Sequence, residues 1–477
     1  MYEPQRLHPL SILDYLIKNI YSLLKGLLPL FLVALADAGI RKWFLLAVPF
    51  LLVLFVVYGV LYWLRYVFYL RGQELRLEYG VFVRKQRYIP IERIQSVQIS
   101  AGILQRLLGV VKIQVETAGA GNQAEFVLSA LPRQKAETLR EILQAGRQIP
   151  DQAEQVPPAA EYRLSPRRLL LLATTSNGIG VVLSALLAAV SQLDDFFSDL
   201  NIWIKIGQYV ENLAAGKISM FILVIVILFL FAWLISLAGS LIRFSGFRLT
   251  RDGDNIRISR GLLEKQQLTL PVKRLQAVKV VEGILRQPFG MLSVQVISIS
   301  NSAGAKGEGN VLFPLLPHSR LHHYLQQMLP EFAVISDIKG LPASARRRYL
   351  LVNTLPALLI AILSAIFLPW GYLAFIIVPL AAWLGNAQYR SAGWLIDTDR
   401  LVLRTRTLGR VTTIVPRRKI QSMSVSQNFF QKRLGLASLR INTASGLGAA
   451  VVQVKGMDER TCQDIIQWFS ARSAFYQ

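Results

Sequence analysis

Two kinds of hydrophobic pattern alternate along the chain. Long unbroken apolar runs come in pairs, and each pair is followed by a polar stretch in which apolar residues recur at every second position. The runs lie near 18–36, 43–64, 169–190, 219–242, 350–369 and 371–387. A helix needs roughly 20 apolar residues to cross a bilayer, so six spans in three pairs are expected. The second and fourth runs carry no charge, whereas Lys18 and Lys25 interrupt the first. The last run is short, and Pro379 is expected to kink it. In the third pair Pro369-Trp370-Gly371 is the only turn signal, which predicts a tight helical hairpin.

The polar stretches read mostly as strands. In the first, Leu75–Tyr79 and Val81–Ile89 flank Gly80 as a hairpin. In the second, Asp252-Gly253 lies in a turn between Phe247–Leu249 and Ile256–Ser259, a strong hairpin signal. A helical turn over Gly102–Leu108, a strand with Val111, Ile113 and Val115, a glycine-rich loop and the strand Glu125–Leu131 follow. Each stretch closes with an amphipathic helix: Arg133–Leu143, Arg320–Leu329 and Asp458–Phe469. Short antiparallel strands closed by one C-terminal helix predict a small curled sheet or partial barrel, so the fold class is an α+β membrane protein.

One sentence of sequence is written three times, at 90–110, 271–291 and 416–436. Each copy opens on Pro90, Pro271 or Pro416, continues through a cation (Arg93, Arg274, Lys419) and a glutamine (Gln95, Gln276, Gln421), and closes on Gly109, Gly290 or Gly435. A repeat of this size is one folding unit used three times. The domains follow. The first transmembrane pair is 1–70 and the first module 71–146; a linker occupies 147–161. The second pair is 162–244, with an outer loop at 191–218, and the second module 245–332. A linker at 333–345 precedes the third pair, 346–390, and the third module, 391–474.

These three Pro-x-x-[Arg/Lys]-[Ile/Leu]-Gln runs, with their closing pairs Leu108-Gly109, Phe289-Gly290 and Leu434-Gly435, resemble the bacterial pleckstrin-homology (PH) domain family. The three-unit membrane arrangement is similar to the YdbT-like proteins. The resemblance implies a PH-like antiparallel β-barrel with a C-terminal helix after each span pair. It also implies a bacterial cytoplasmic (inner) membrane location, and a smaller single-module membrane protein of the same family as a partner. It implies little about activity.

Charge changes the picture next. The chain carries a net +24 with a pI near 10.3 and a mean hydropathy of +0.40. The cations flank the apolar runs: Arg163, Arg167 and Arg168; Arg243 and Arg248; Arg346, Arg347 and Arg348; Arg390. The 191–218 loop is acidic by comparison, with Asp194, Asp195, Asp199 and Glu211. That placement is the positive-inside pattern. It sets both termini and all three modules in the cytoplasm and makes anionic phospholipid the expected neighbour. It excludes nucleic acid, for which no stacking platform is visible. The single cysteine, Cys462, rules out an internal disulfide.

The candidate chemistry is sparse. In the repeated motif the cation can meet a phosphate and the glutamine a headgroup oxygen; equally, the proline can set a strand start and the glutamine can satisfy backbone groups. The closing glycine supplies a backbone conformation that side chains forbid. The glycine-rich loops at 118–122, 303–309 and 445–448 read as hairpin tips rather than nucleotide loops. First-hairpin cations are candidate anionic-lipid contacts: Arg84, Lys85 and Arg87; Arg260 and Lys265; Arg404, Arg406 and Arg410. His318, His322 and His323 lack the companions of a metal site. Asp37, Asn177 and Asn353 sit in or beside spans, where asparagines can bond across helices. The 191–218 loop has an apolar helical stripe suited to a headgroup layer or to capping the spans. No catalytic set recurs, so no enzyme, cofactor or metal is expected. The function expected is a scaffold whose modules bind partner proteins or anionic lipid at the membrane surface. The alternative is a component of a transport or efflux system, and the YdbT-like resemblance implies that it gives resistance to membrane-active antimicrobial peptides.

Overall fold

Alternating Val, Ile, Leu and Phe give the polar stretches strands with one apolar face, and the computed structural model gathers these strands into three sets of seven. It describes residues 4–17, 38–117, 126–145, 161–175, 218–298, 310–333, 337–368, 370–445 and 448–470, with isolated positions within 19–27 and 180–188. The first set is β1 (Gln5–Arg6), β2 (Val67–Arg71), β3 (Glu74–Tyr79), β4 (Lys85–Pro90), β5 (Ile94–Ala101), β6 (Val110–Thr117) and β7 (Phe126–Pro132). The second is β8 (Glu161–Arg163), β9 (Arg248–Asp252), β10 (Asn255–Arg260), β11 (Lys265–Pro271), β12 (Leu275–Glu282), β13 (Met291–Ser298) and β14 (Asn310–Pro317). The third is β15 (Lys339–Gly340), β16 (Gly393–Asp397), β17 (Arg400–Arg406), β18 (Arg410–Pro416), β19 (Ile420–Ser426), β20 (Leu436–Ser445) and β21 (Gly448–Asp458).

Within a module the first four strands make one antiparallel sheet and the last three another. In the first module both sheets turn their apolar faces to one core. Phe68, Leu75 and Ile89 come from one side, and Ile113, Val115, Phe126 and Leu128 from the other. Ala136, Leu139 and Leu143 of the Arg133–Ala145 helix close it.

Three features bear on the sequence reading. First, each module opens with a strand that precedes its spans: β1, β8 and β15 pair with β2, β9 and β16. The apolar helical stretch is therefore inserted after the module's first strand, and the stretch 333–345 carries β15 as well as serving as a connection. Second, among the described residues four helices are long and apolar enough to cross a membrane: Lys42–Leu64, Val226–Phe244, Ala343–Phe367 and Gly371–Ser391. The runs at 18–36 and 169–190 lie mostly outside the described residues, apart from the Pro166–Thr174 helix and isolated positions. Third, Pro379 does not kink a helix. It stands in the first turn of Ile377–Ser391, where a proline's missing N–H costs nothing. The preceding 3-10 stretch, Gly371–Ile376, makes the tight hairpin.

The modules join through their sheets. β5 of the first module pairs with β11 of the second, and β12 of the second pairs with β18 of the third, giving two continuous seven-stranded sheets. Both junctions use one register: Lys265 faces Ala101, and Arg410, at the same offset from its proline, faces Glu282.

Candidate functional site

The repeated motif is built into the scaffold. Each proline is extended (φ −60°, −67° and −62°) and starts a 3-10 turn. The next residue's N–H donates to the turn between the module's second and third strands: Ile91 to Gln73 O at 2.9 Å, Val272 to Asp254 O at 2.8 Å and Arg417 to Asp399 O at 2.7 Å. The cation then reaches back into the preceding module. Arg274 Nη2 lies 3.5 Å from Glu92 O, and Lys419 Nζ lies 2.7 Å from Lys273 O. Burial holds the Lys419 ammonium below its ordinary value. Arg93 has no module before it and is exposed. Gln276 is buried and donates to Arg274 O at 3.1 Å; Gln421 is exposed, and the Gln95 side chain lies outside the described residues. Gly109, Gly290 and Gly435 have φ of +68°, +59° and +65°, a region open to glycine. Their carbonyls accept from the N–H groups of Arg133, His318 and Glu459, which begin the closing helical segments, at 3.1, 2.9 and 3.1 Å.

Of the first-hairpin cations, Arg260, Arg404 and Arg406 lie at the ends of the spans. Arg404 Nε donates to Ser391 O at 2.7 Å and Arg406 Nη1 to Ser391 Oγ at 3.4 Å, at the last residue of the Ile377–Ser391 helix. A cation there favours the helix C-terminus. Arg260 lies over the Phe244 ring, 5.6 Å from its centre, at the end of Ile218–Phe244. Arg84 pairs with Glu78, and that hydrogen bond holds the Glu78 carboxyl below its ordinary value. Lys85 is exposed. Lys265 and Arg410 stand at the module junctions, Arg410 paired with Glu282.

Sequence reasoning took Val81–Ile89 as strand throughout, but β4 begins only at Lys85, and the loop before it carries exposed apolar tips. Phe82 is 89% exposed and stacks on Tyr58 of the Ala38–Leu64 helix, with ring centres 6.1 Å apart. Leu262 and Leu263 in the second module and Leu408 in the third are also exposed. The Leu262 N–H donates to Ile242 O at 2.9 Å, tying this loop to a span. The missed signal is a leucine, valine or phenylalanine inside a glycine-bounded turn, where a solvated tip would carry polar residues. Cation and apolar tip together suit a bilayer surface, where one meets headgroups and the other acyl chains.

Arg87 lines a cavity of about 360 Å³ between the first module and the Ala38–Leu64 helix, together with Tyr15, Tyr62, Tyr66 and Tyr79. Tyr66 donates to Val127 O at 2.6 Å, and burial raises its pKa. Tyrosines at a span end match the aromatic belt of a membrane interface. Asn353 Nδ2 donates across the third helical hairpin to Gln388 Oε1 at 3.0 Å. Among the described residues no group of three His, Cys, Asp or Glu is placed to hold a metal. Asp37, Asn177, the 191–218 loop and the glycine-rich loops at 118–122 and 303–309 lie outside the described residues, as does most of the third loop, whose ends Ser445 and Gly448 pair.

Three seven-stranded modules with closing helical segments, set beside helices of bilayer length, define a class. A family model described as "Bacterial PH domain" matches residues 24–147, 182–330 and 350–473, and the chain belongs to that family. Each matched segment begins after its module's opening strand. The chain is also similar to the "UPF0699 transmembrane protein YdbT" of Bacillus subtilis (strain 168), with 33% identity over 494 residues and 99% of each chain covered. It is thus a multi-pass, YdbT-like membrane protein with three bacterial PH segments.

Proposed function

We propose that the chain is a non-enzymatic scaffold of the bacterial cytoplasmic (inner) membrane. Its termini and modules face the cytoplasm, and it binds anionic phospholipid and partner proteins, including a smaller single-module relative, at the membrane surface. The observation that carries the lipid reading is the pairing of Arg260, Arg404 and Arg406 with the span ends, beside the apolar tips at Phe82, Leu262 and Leu408. Each cation near an anionic leaflet is worth about 1 kcal/mol, and three modules on one chain add avidity. The charge asymmetry between the span flanks and the 191–218 loop supports the orientation.

The test is lipid retention by the full chain. The detergent-solubilised protein is to be passed from mixed zwitterionic and anionic lipid and its bound lipid identified by mass spectrometry. Preferential retention of anionic lipid is expected. It should fall with added salt and in a chain carrying Arg260→Gln, Arg404→Gln and Arg406→Gln. Retention that ignores headgroup charge would remove the lipid half of the reading.

A further inference from the structure

The two junctions leave the row of modules with one open edge at each end. Among the described residues, β4 is the outer strand of its sheet and β19 the outer strand of the other terminal sheet. β4 occupies the position that β11 and β18 hold in the later modules, and β19 the position of β5 and β12. Those four strands pair across modules. The open edges are therefore the two halves of a junction the chain already makes twice.

Burial marks what is missing. Val97 and Ile99 of β5, and Val278 and Val280 of β12, are buried. Their counterparts in β19, Met423 and Val425, are only partly buried, and Ser422, Ser424 and Ser426 are exposed. On the other strand, Thr269 and Ile414 are 5% and 4% exposed, whereas Tyr88 at the same offset is 51% exposed. The linking cation repeats the pattern. Arg274 and Lys419 each bond a carbonyl of the module before, and the exposed Arg93 is the one copy without such a module.

We propose that a second copy of the chain completes this junction head to tail, its β4 adding to β19 in the register already used twice. Counting from the repeated prolines sets Arg84 opposite Gln427, Lys85 opposite Ser426 and Tyr88 opposite Met423. Arg93 of one copy then donates to the Arg418 carbonyl of the other, as Lys419 does to Lys273. Strand addition to an open edge supplies main-chain hydrogen bonds, and leaving such an edge uncovered invites uncontrolled pairing. Because the contact is heterologous, it builds rings or rows of copies rather than a closed two-fold dimer. The strand geometry stands whether or not the modules bind lipid.

The test uses two differently tagged full-length chains in the same membranes, one with Lys85→Cys and the other with Ser426→Cys. Both positions are exposed, and the native Cys462 is buried. A short thiol cross-linker should join the two tags. The yield should exceed at least ten-fold that of Lys85→Cys with Ser422→Cys, which lies about 13 Å out of register. Adding Arg93→Ala to the Lys85→Cys chain should lower the yield several-fold. No excess over the shifted pair overturns the proposal. So does Ser426→Cys linking to a different protein instead of the second tag.

Discussion

Glu282, the last residue of β12, holds Arg410, the first residue of β18, across the junction between the second and third modules. Arg410 Nε lies 2.9 Å from Glu282 Oε1, and its Nη2 meets Oε2. At the other junction the same positions are Ala101 and Lys265, with no charge to pair. One register thus joins both pairs of modules, but only one junction carries an ion pair at this place.

Removing that pair should loosen only the second junction. Arg410 is one-third exposed, so solvent screens the pair, and about 1–2 kcal/mol is expected for a hydrogen bond between charged groups of this exposure. A double-mutant cycle with Glu282→Gln and Arg410→Gln, read by thermal unfolding in detergent, should return that coupling. Lys265→Gln should change little.

The three closing glycines should respond alike. A Cβ at Gly109, Gly290 or Gly435 would meet nothing within 4 Å, so alanine there costs backbone strain and not a clash. About 1–2 kcal/mol each is expected. Asparagine, which tolerates the left-handed region, should cost less than alanine. Unfolding midpoints of the six variants check this, and equal stability of the alanine variants and the parent would contradict it.

The last helical hairpin depends on close approach. A Cβ on Gly385 would stand 2.7 Å from Tyr349 O, so Gly385→Leu should separate Ala343–Phe367 from Ile377–Ser391 and lower the unfolding midpoint sharply. Asn353→Leu removes the Nδ2 bonds to Gln388 Oε1 and Tyr349 O and should cost about 0.6–2 kcal/mol.

Lys279 gives a pH test. Burial holds its ammonium below 10.5. Below the depressed native value both states carry the proton, and the folded state bears the full cost of burying the charge. Between that value and 10.5 the unfolded chain binds more protons, so stability rises with pH, and above 10.5 the cost is gone. Lys279→Met should therefore stabilise at pH 7, with the gain shrinking as pH rises through that window. A gain that does not change with pH would show that packing alone is responsible.

Cys462 should be silent in the folded chain. It is buried, and desolvation pushes its thiol up to about 12. A water-soluble maleimide at pH 7 should label it only after denaturation.

Much of this fold was legible because its signals are long. The uncharged run at 43–64, the Pro–Gly repeats and the three closing helices each give many residues to one pattern. The opening strands were hidden for the opposite reason. Gln5–Arg6 and Lys339–Gly340 are two residues each, too short for alternation, and each is separated from its sheet by a long apolar stretch of chain. The repeated cation was visible as a repeat but not as a link. Its partners, Glu92 O and Lys273 O, are backbone carbonyls in another module, and a carbonyl leaves no mark in a sequence. The apolar tip at Phe82 reads as strand because a run of hydrophobic residues carries no sign of where a bulge leaves the sheet.

The opening strands also set an order of assembly. Tyr162 in β8 is buried against Phe313 and Tyr324 and bonds Leu315 O, yet it leaves the ribosome well before any of them. Its sheet is completed only after the intervening hydrophobic stretch has been made and the chain has come back. A stretch that failed to enter the bilayer would leave the module without its first strand, so membrane integration is expected to precede the closing of each domain.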